Sequence, residues 1–247
     1  MTNTVCVLTN FRTGSTAFTL IKSEEYDLPY KGELFSHERP WGYGDVRARW
    51  EEMEFDRDGK SPPEGWPQGR DIHQLFYDEL NKKSPICFKL MPGQVRKNEN
   101  VTAKKVAEAC DKVYLLYRRD WKSQALSWIG MRSDGRFGQN GLAHHRRSGD
   151  PRTRDFHFKM HVSTEPADNK MIREIKIDNP QWAPMLCNQL IEEYKDLQKL
   201  YEELDNVELI CMEDYFSEQP YIKYNHEFVW LDGEPEVPDF DVEGLFR

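Results

Sequence analysis

The chain has 247 residues, a formal net charge of −9, and 38% hydrophobic against 31% charged residues. That length suits one α/β domain able to bury a sizeable core. The acidic balance, with a pI near 5.4, argues against a general binder of nucleic acid or anionic membrane, yet leaves room for a local basic pocket around one anionic ligand.

Residues 4–9 read as a buried strand, and 15–25 as the helix that follows it. "GELF" at 32–35 fits a short second strand. Residues 36–70 are rich in Pro, Gly, Trp and charge and read as an irregular insertion, with a helix expected over 45–53. Helical periodicity returns over 71–83, with Asp71 as a candidate cap. A strand over 85–91, a helix over 101–110, a strand over 112–118 and a helix over 120–132 opening on Asp120 come next. Residues 133–180 are mostly polar, which suggests a loop or lid. The longest helix is expected over 181–204, with Leu, Ile and Tyr at helical spacing, and the last clear strand over 207–212. The acidic, Pro-containing end, 232–247, reads as an extended tail. Apolar strands alternating with helices imply a single domain over 1–247: a central parallel sheet flanked by helices. In such sheets ligands bind at the carboxyl ends of the strands, which is where the residues after 9, 118 and 212 fall.

The five cysteines, Cys6, Cys87, Cys110, Cys187 and Cys211, are odd in number and lack metal-type spacing, so buried reduced thiols are expected. No apolar run approaches the ~20 residues that span a bilayer. The opening "MTNTVCVLTN" has no basic segment leading into a long apolar one. A cytoplasmic chain without a membrane span is therefore expected.

"NFRTGSTAF" (10–18) directly follows the first strand. Gly14 permits a tight turn, and the amides of 13–16 then point at an anion from a helix N-terminus. Thr13, Ser15 and Thr16 add hydroxyls, and Arg12 adds a forked cation. A Walker-type loop needs a lysine where Ser15 stands, so ATP hydrolysis and ordinary kinase chemistry are disfavoured. The other reading of the stretch is a capped helix start with a solvated Arg12.

"FRTGST" resembles the 5′-phosphosulfate-binding loop of sulfotransferases that use 3′-phosphoadenosine-5′-phosphosulfate. That resemblance implies a P-loop-like α/β fold. It also implies an Arg at a later strand end with a Ser eight positions on, gripping the 3′-phosphate. "VYLLYRRDWKSQALSW" supplies Arg119 and Ser127, whereas Arg118 misses the spacing by one; Ser123 lies one turn before Ser127. "YKGELF" resembles the Gly-Glu of the protein-tyrosine and carbohydrate types, which makes Glu33 the expected general base and His37 the alternative. "LICMEDYF" resembles the family's late strand, and "FKLMPGQ" the strand-Lys segment of the bacterial carbohydrate type, so Lys89 joins Arg12 as a candidate for stabilising charge. The resemblance covers roughly 4–35, 85–128 and 207–216.

The activity it implies is transfer of a sulfuryl group from 3′-phosphoadenosine-5′-phosphosulfate to a hydroxyl of a carbohydrate, lipid or peptide. Adenosine 3′,5′-bisphosphate would be the product, with no metal required. The alternatives are a non-catalytic nucleotide-binding protein of the same fold and, further off, an ATP-dependent kinase. His144 and His145 are adjacent and lack further ligand spacing, so a basic loop is expected there rather than a metal site. Trp41, Tyr43, Trp50 and Trp66 could stack on an acceptor or form a small core of their own.

Overall fold

Strands whose residues are apolar on both sides need cover on both faces, and strands of this kind build the centre of this protein. The structure is a computed structural model; it describes residues 2–30, 32–35, 70–133, 171–177, 179, 181–217 and 226–247. In chain order the elements are β1 (Thr4–Thr9), α1 (Ser15–Glu25), α2 (Arg70–Asn81), β2 (Ile86–Leu90), α3 (Ala103–Glu108), β3 (Lys112–Tyr117), α4 (Trp121–Ser133), β4 (Met171–Ile175), α5 (Trp182–Glu203), β5 (Val207–Cys211), α6 (Met212–Ser217) and β6 (His226–Trp230). Short 3₁₀ turns lie at Pro92–Gln94 and Glu243–Phe246.

The central sheet runs β2-β1-β3-β5, every pair parallel. β1 and β2 are buried along their whole length, as parallel strands between two helical layers must be. The period of two sorts their side chains. Cys6, Leu8, Phe88, Leu90 and Leu115 join a cluster with Phe76, Leu80, Trp121, Leu190 and Leu197 from α2, α4 and α5. Val5, Val7, Cys87, Tyr114 and Leu116 face Ala17, Phe18, Met212 and Phe216 from α1 and α6.

The chain leaves β1 for the edge strand β2, then returns past β1 to β3 and onward to β5. Strand order therefore reverses between β1 and β3, the place where sheets of this kind form a ligand crevice beyond the strands' carboxyl ends.

Three stretches differ from the sequence reading. "GELF" is a turn and not a strand. The segment lies along the β2 edge through a bridge at Tyr30 and two bonds, Cys87 N–H to the Pro29 carbonyl at 2.9 Å and Lys89 N–H to the Gly32 carbonyl at 2.8 Å. Gly32 then takes φ 58° and turns the chain away before a ladder can continue. The polar stretch 133–180 contains β4, which pairs in parallel with β6 as a second, two-stranded sheet. The C-terminal segment is extended as read, but it packs against the core. Phe240 meets Trp121 at 5.1 Å between ring centroids and Phe246 meets Tyr117 at 5.2 Å, while the Trp121 indole donates to the Pro238 carbonyl at 2.7 Å. The expected helix at 45–53 lies outside the described residues. All five cysteines are free thiols. No helix among the described residues is long and apolar enough to cross a membrane.

Candidate functional site

β1 delivers residues 10–14 to the crevice, where the interior of the loop is fixed by its own side chains. Asn10 is buried; its Nδ2 donates to the Leu190 carbonyl of α5 at 3.0 Å and its Oδ1 accepts the Phe11 N–H at 2.7 Å. The Thr13 hydroxyl donates to the Asn10 carbonyl at 2.9 Å and pairs with the Thr9 hydroxyl. It is consumed inside the loop, so of the expected hydroxyl donors Thr13 serves the turn.

Arg12 (φ 60°) and Gly14 (φ 74°) are both left-handed. Glycine takes that conformation freely, whereas for Arg12 it costs about 1–2 kcal/mol. The turn aims the start of α1 into the crevice. The Phe18 N–H to Gly14 carbonyl bond, 3.2 Å, opens the helical ladder. By helix geometry the amides of Ser15, Thr16 and Ala17 then have no intrahelical acceptor, and Gly14 carries no side chain to cap them. The result is a cluster of donors at the positive end of a helix dipole.

Arg12 Nε donates to Ser127 Oγ of α4 at 2.9 Å, so two residues 115 positions apart meet. At the end of β3, Arg118 turns inward: it is buried, and its Nη1 donates to the Arg12 carbonyl at 3.2 Å. Its Nε makes no hydrogen bond among the described residues, with Glu213 Oε1 at 3.7 Å. Arg119 turns outward and is half-exposed. Its guanidinium pairs with Asp214, and Glu243 Oε2 lies 3.8 Å away. The structure thus places Ser127 with Arg12, and Arg119 among carboxylates of α6 and the C-terminal turn.

A second cluster lies beside α1. Lys89 stands on the α1 face of β2, buried, and its ammonium donates to the Thr16 hydroxyl at 2.9 Å and pairs with Glu33 Oε1 at 3.1 Å. Gln94 Nε2 holds the other Glu33 oxygen at 3.3 Å. The Gly32 turn on the β2 edge is what brings Glu33 there. Glu33, Lys89 and Thr16 therefore form one cluster at the first turn of α1. Ser15 is buried, and its carbonyl accepts the Thr19 hydroxyl at 2.7 Å.

Sequence reasoning set Arg118 aside on spacing and missed the residues that brace the site. The fully buried Tyr194 hydroxyl of α5 donates to Gln124 Oε1 at 2.6 Å and accepts the Arg118 N–H at 3.2 Å. Gln124 Nε2 donates to the Phe11 carbonyl at 2.6 Å. One relay thereby locks the ends of β1 and β3 to α4 and α5. A glutamine and a tyrosine on buried helix faces were the only sequence signal for it. His37, His144, His145, Trp41, Tyr43, Trp50 and Trp66 lie outside the described residues. No group of three His, Cys, Asp or Glu among the described residues is placed to hold a metal ion. Neither a scan against protein-family models nor a search of curated proteins finds a match to this chain.

Proposed function

We propose that this protein is a sulfotransferase of P-loop-like fold, taking 3′-phosphoadenosine-5′-phosphosulfate as donor and a hydroxyl of a carbohydrate, lipid or peptide as acceptor. The observation that carries the reading is the 10–16 loop: an uncapped helix N-terminus behind two left-handed residues, at the point where strand order reverses, with Arg12 beside it. This arrangement suits a phosphate ester, and the absence of a loop lysine separates it from ATP chemistry.

In this reading the amides of 14–17 and the Arg12 guanidinium hold the 5′-phosphate and stabilise its growing charge as it leaves. Lys89 reaches Thr16 at the same helix start. Ser127 belongs to the second phosphate, together with Arg119 after it exchanges its carboxylate partners. The donor supplies an activated sulfur: the acceptor oxygen forms a bond to it as the bond from sulfur to the 5′-phosphate oxygen breaks, in line. Glu33 accepts the acceptor's hydroxyl proton. No residue needs to become covalently modified.

Thermal-shift titration tests the ligand. Adenosine 3′,5′-bisphosphate at about 100 times its dissociation constant should add roughly 2.7 kcal/mol of stability, with AMP, ATP and ATP-magnesium giving less. Equal shifts with AMP would remove the second phosphate site from the reading. Transfer of labelled sulfate from donor to pools of sugars, lipids and tyrosine peptides tests the reaction. One observation favours a second reading, nucleotide binding without catalysis: both oxygens of Glu33 are engaged, by Lys89 and Gln94. Under it Glu33→Gln leaves every function of the protein unchanged.

A further inference from the structure

Two buried donor atoms on α4 have no hydrogen-bond partner among the described residues. Trp128 is 5% exposed, and its indole Nε1 has no hydrogen-bond partner among the described residues. Arg132, one helical turn on, has a buried Nε in the same condition. The two side chains touch: the Arg132 guanidinium carbon lies 5.1 Å from the centre of the Trp128 ring. Positions i and i+4 put them side by side on one helix face. Phe11 of the loop stacks flat on the same indole, at 4.2 Å and 11°.

Each of the two groups needs an acceptor. Indole N–H and guanidinium N–H only donate. Leaving them unpaired in a packed interior costs free energy comparable with a lost hydrogen bond, so native structures rarely do it without a reason. The helix dipole accounts for an arginine in the last turn of α4. It does not account for a buried indole N–H with no acceptor. The complement to one neutral and one charged donor, set side by side, is a group that only accepts and is negative: a carboxylate, sulfate or phosphate.

The place of these donors is as informative as their chemistry. Trp128 follows Ser127, and Phe11 precedes Arg12, while Arg12 and Ser127 are themselves hydrogen-bonded at 2.9 Å. On α4 the orphan indole is one residue from the contact between the loop and the helix, with Arg132 one turn further on, and on the loop the ring stacked against that indole is likewise one residue from the contact. We infer that Trp128 and Arg132 form an oxyanion-binding subsite beside the 10–16 loop. Two sources could fill it: the second phosphate of the nucleotide, or an acidic group carried by the acceptor. The inference deepens the sulfotransferase reading in naming what this site takes, but the subsite can be tested without it.

The test observes the indole N–H itself. The chain has 7 tryptophans, so a nitrogen-15 spectrum of the indole groups is readable, and Trp128→Phe assigns the Trp128 signal while keeping an aromatic ring against Phe11. Wild-type protein is titrated with inorganic sulfate, AMP, adenosine 3′,5′-bisphosphate and glucuronate. The Trp128 indole proton should move downfield, saturably, with sulfate, bisphosphate or glucuronate, and Arg132→Gln should weaken that ligand about tenfold or more. Movement with the bisphosphate and not with AMP identifies the nucleotide as the source. Movement with glucuronate or sulfate added to bisphosphate-saturated protein identifies the acceptor. No movement with any of the four, or movement that Arg132→Gln leaves unchanged, overturns the subsite. The Gly14 amide, followed in the same samples, reports the loop. If it responds to the bisphosphate while Trp128 stays silent, the subsite fails and the nucleotide reading stands. If only Trp128 responds, the reverse holds.

Discussion

Lys89 brings a full charge into a sheet face that Val7, Cys87 and Leu116 otherwise make apolar, and its ion pair with Glu33 is only partly shielded from water. The lysine side chain is 8% exposed and the glutamate 19%, so the lysine is the partner that cannot rehydrate. Removing Glu33 should therefore hurt the fold more than removing Lys89. Glu33→Gln keeps an acceptor near the ammonium and is expected to cost about 2 kcal/mol in urea denaturation, less than the full cost of breaking a buried pair; Lys89→Met is expected to cost less. Turnover per folded molecule in Glu33→Gln should fall by roughly two to four orders of magnitude if Glu33 is the base, and nucleotide affinity should stay within a few-fold. Unchanged turnover would support the binding protein over the enzyme. The two arginines after β3 separate in the same way. Arg119→Ala removes only solvent-exposed ion pairs, so stability of the free protein should barely change while affinity for adenosine 3′,5′-bisphosphate falls. Arg118→Ala strips the Arg12 carbonyl of its buried donor and should cost about 1–3 kcal/mol of stability. If instead only Arg118→Ala weakens the nucleotide, calorimetry of the two variants moves the grip to Arg118.

Helix α4 shows how elements are fitted to one another. A Cβ on Gly130 would come within 2.7 Å of the Phe228 ring of β6. In an isolated helix Gly→Ala gains up to about 1 kcal/mol; here the ring must move, so Gly130→Ala should destabilise the protein by about 1–3 kcal/mol, read from the urea midpoint. A rise in stability would mean that β6 yields freely. β6 is also where the sequence was hardest to read. β1, β2, β3 and β5 announce themselves because apolar runs of that length, bounded by turns and alternating with amphipathic helices, have few other uses. β4 and β6 lie in polar surroundings and find each other across 50 residues. Nothing local dictates such a pairing. The loop was legible for a similar reason to the strands: Gly14 between hydroxyls, directly behind a buried strand, has a local meaning. The destination of Arg119 was not, since it depends on Asp214 and Glu243 arriving from the far end of the chain.

At the scale of the whole molecule, two carboxylates tie distant segments together and respond to acid in opposite directions. Asp111 opens β3 and accepts the N–H groups of Asn3 at 2.8 Å and Thr4 at 3.1 Å, while Lys83 reaches it at 2.8 Å. Partial burial pushes its pKa up, but the Lys83 ammonium and the two amides outweigh burial and hold it at about 2. Its folded pKa is thus below the unfolded value of about 3.9. The stability it contributes is present above that value and is lost as pH falls from about 4 towards 2. Glu193 of α5 is buried against Gly93, whose N–H it accepts at 3.1 Å. Burial raises its pKa despite that bond and the nearby Arg96, so its carboxylate form is the strained one and protonation relieves it. Cooling of the charge imbalance helps too, because the net charge of −9 shrinks as pH approaches 5.4. Stability should therefore hold or rise slightly from pH 7 to about 5, then fall steeply below about 4. Asp111→Asn should remove about 1 kcal/mol at neutral pH, allowing for the water that reaches the pair, and should flatten the profile between about pH 4 and 2. Glu193→Gln should leave that acid limb in place and remove the gentle rise above it. Urea midpoints measured across pH for the three proteins decide the matter: a wild-type acid limb that survives Asp111→Asn intact would show that β1 and β3 are not clamped through this carboxylate.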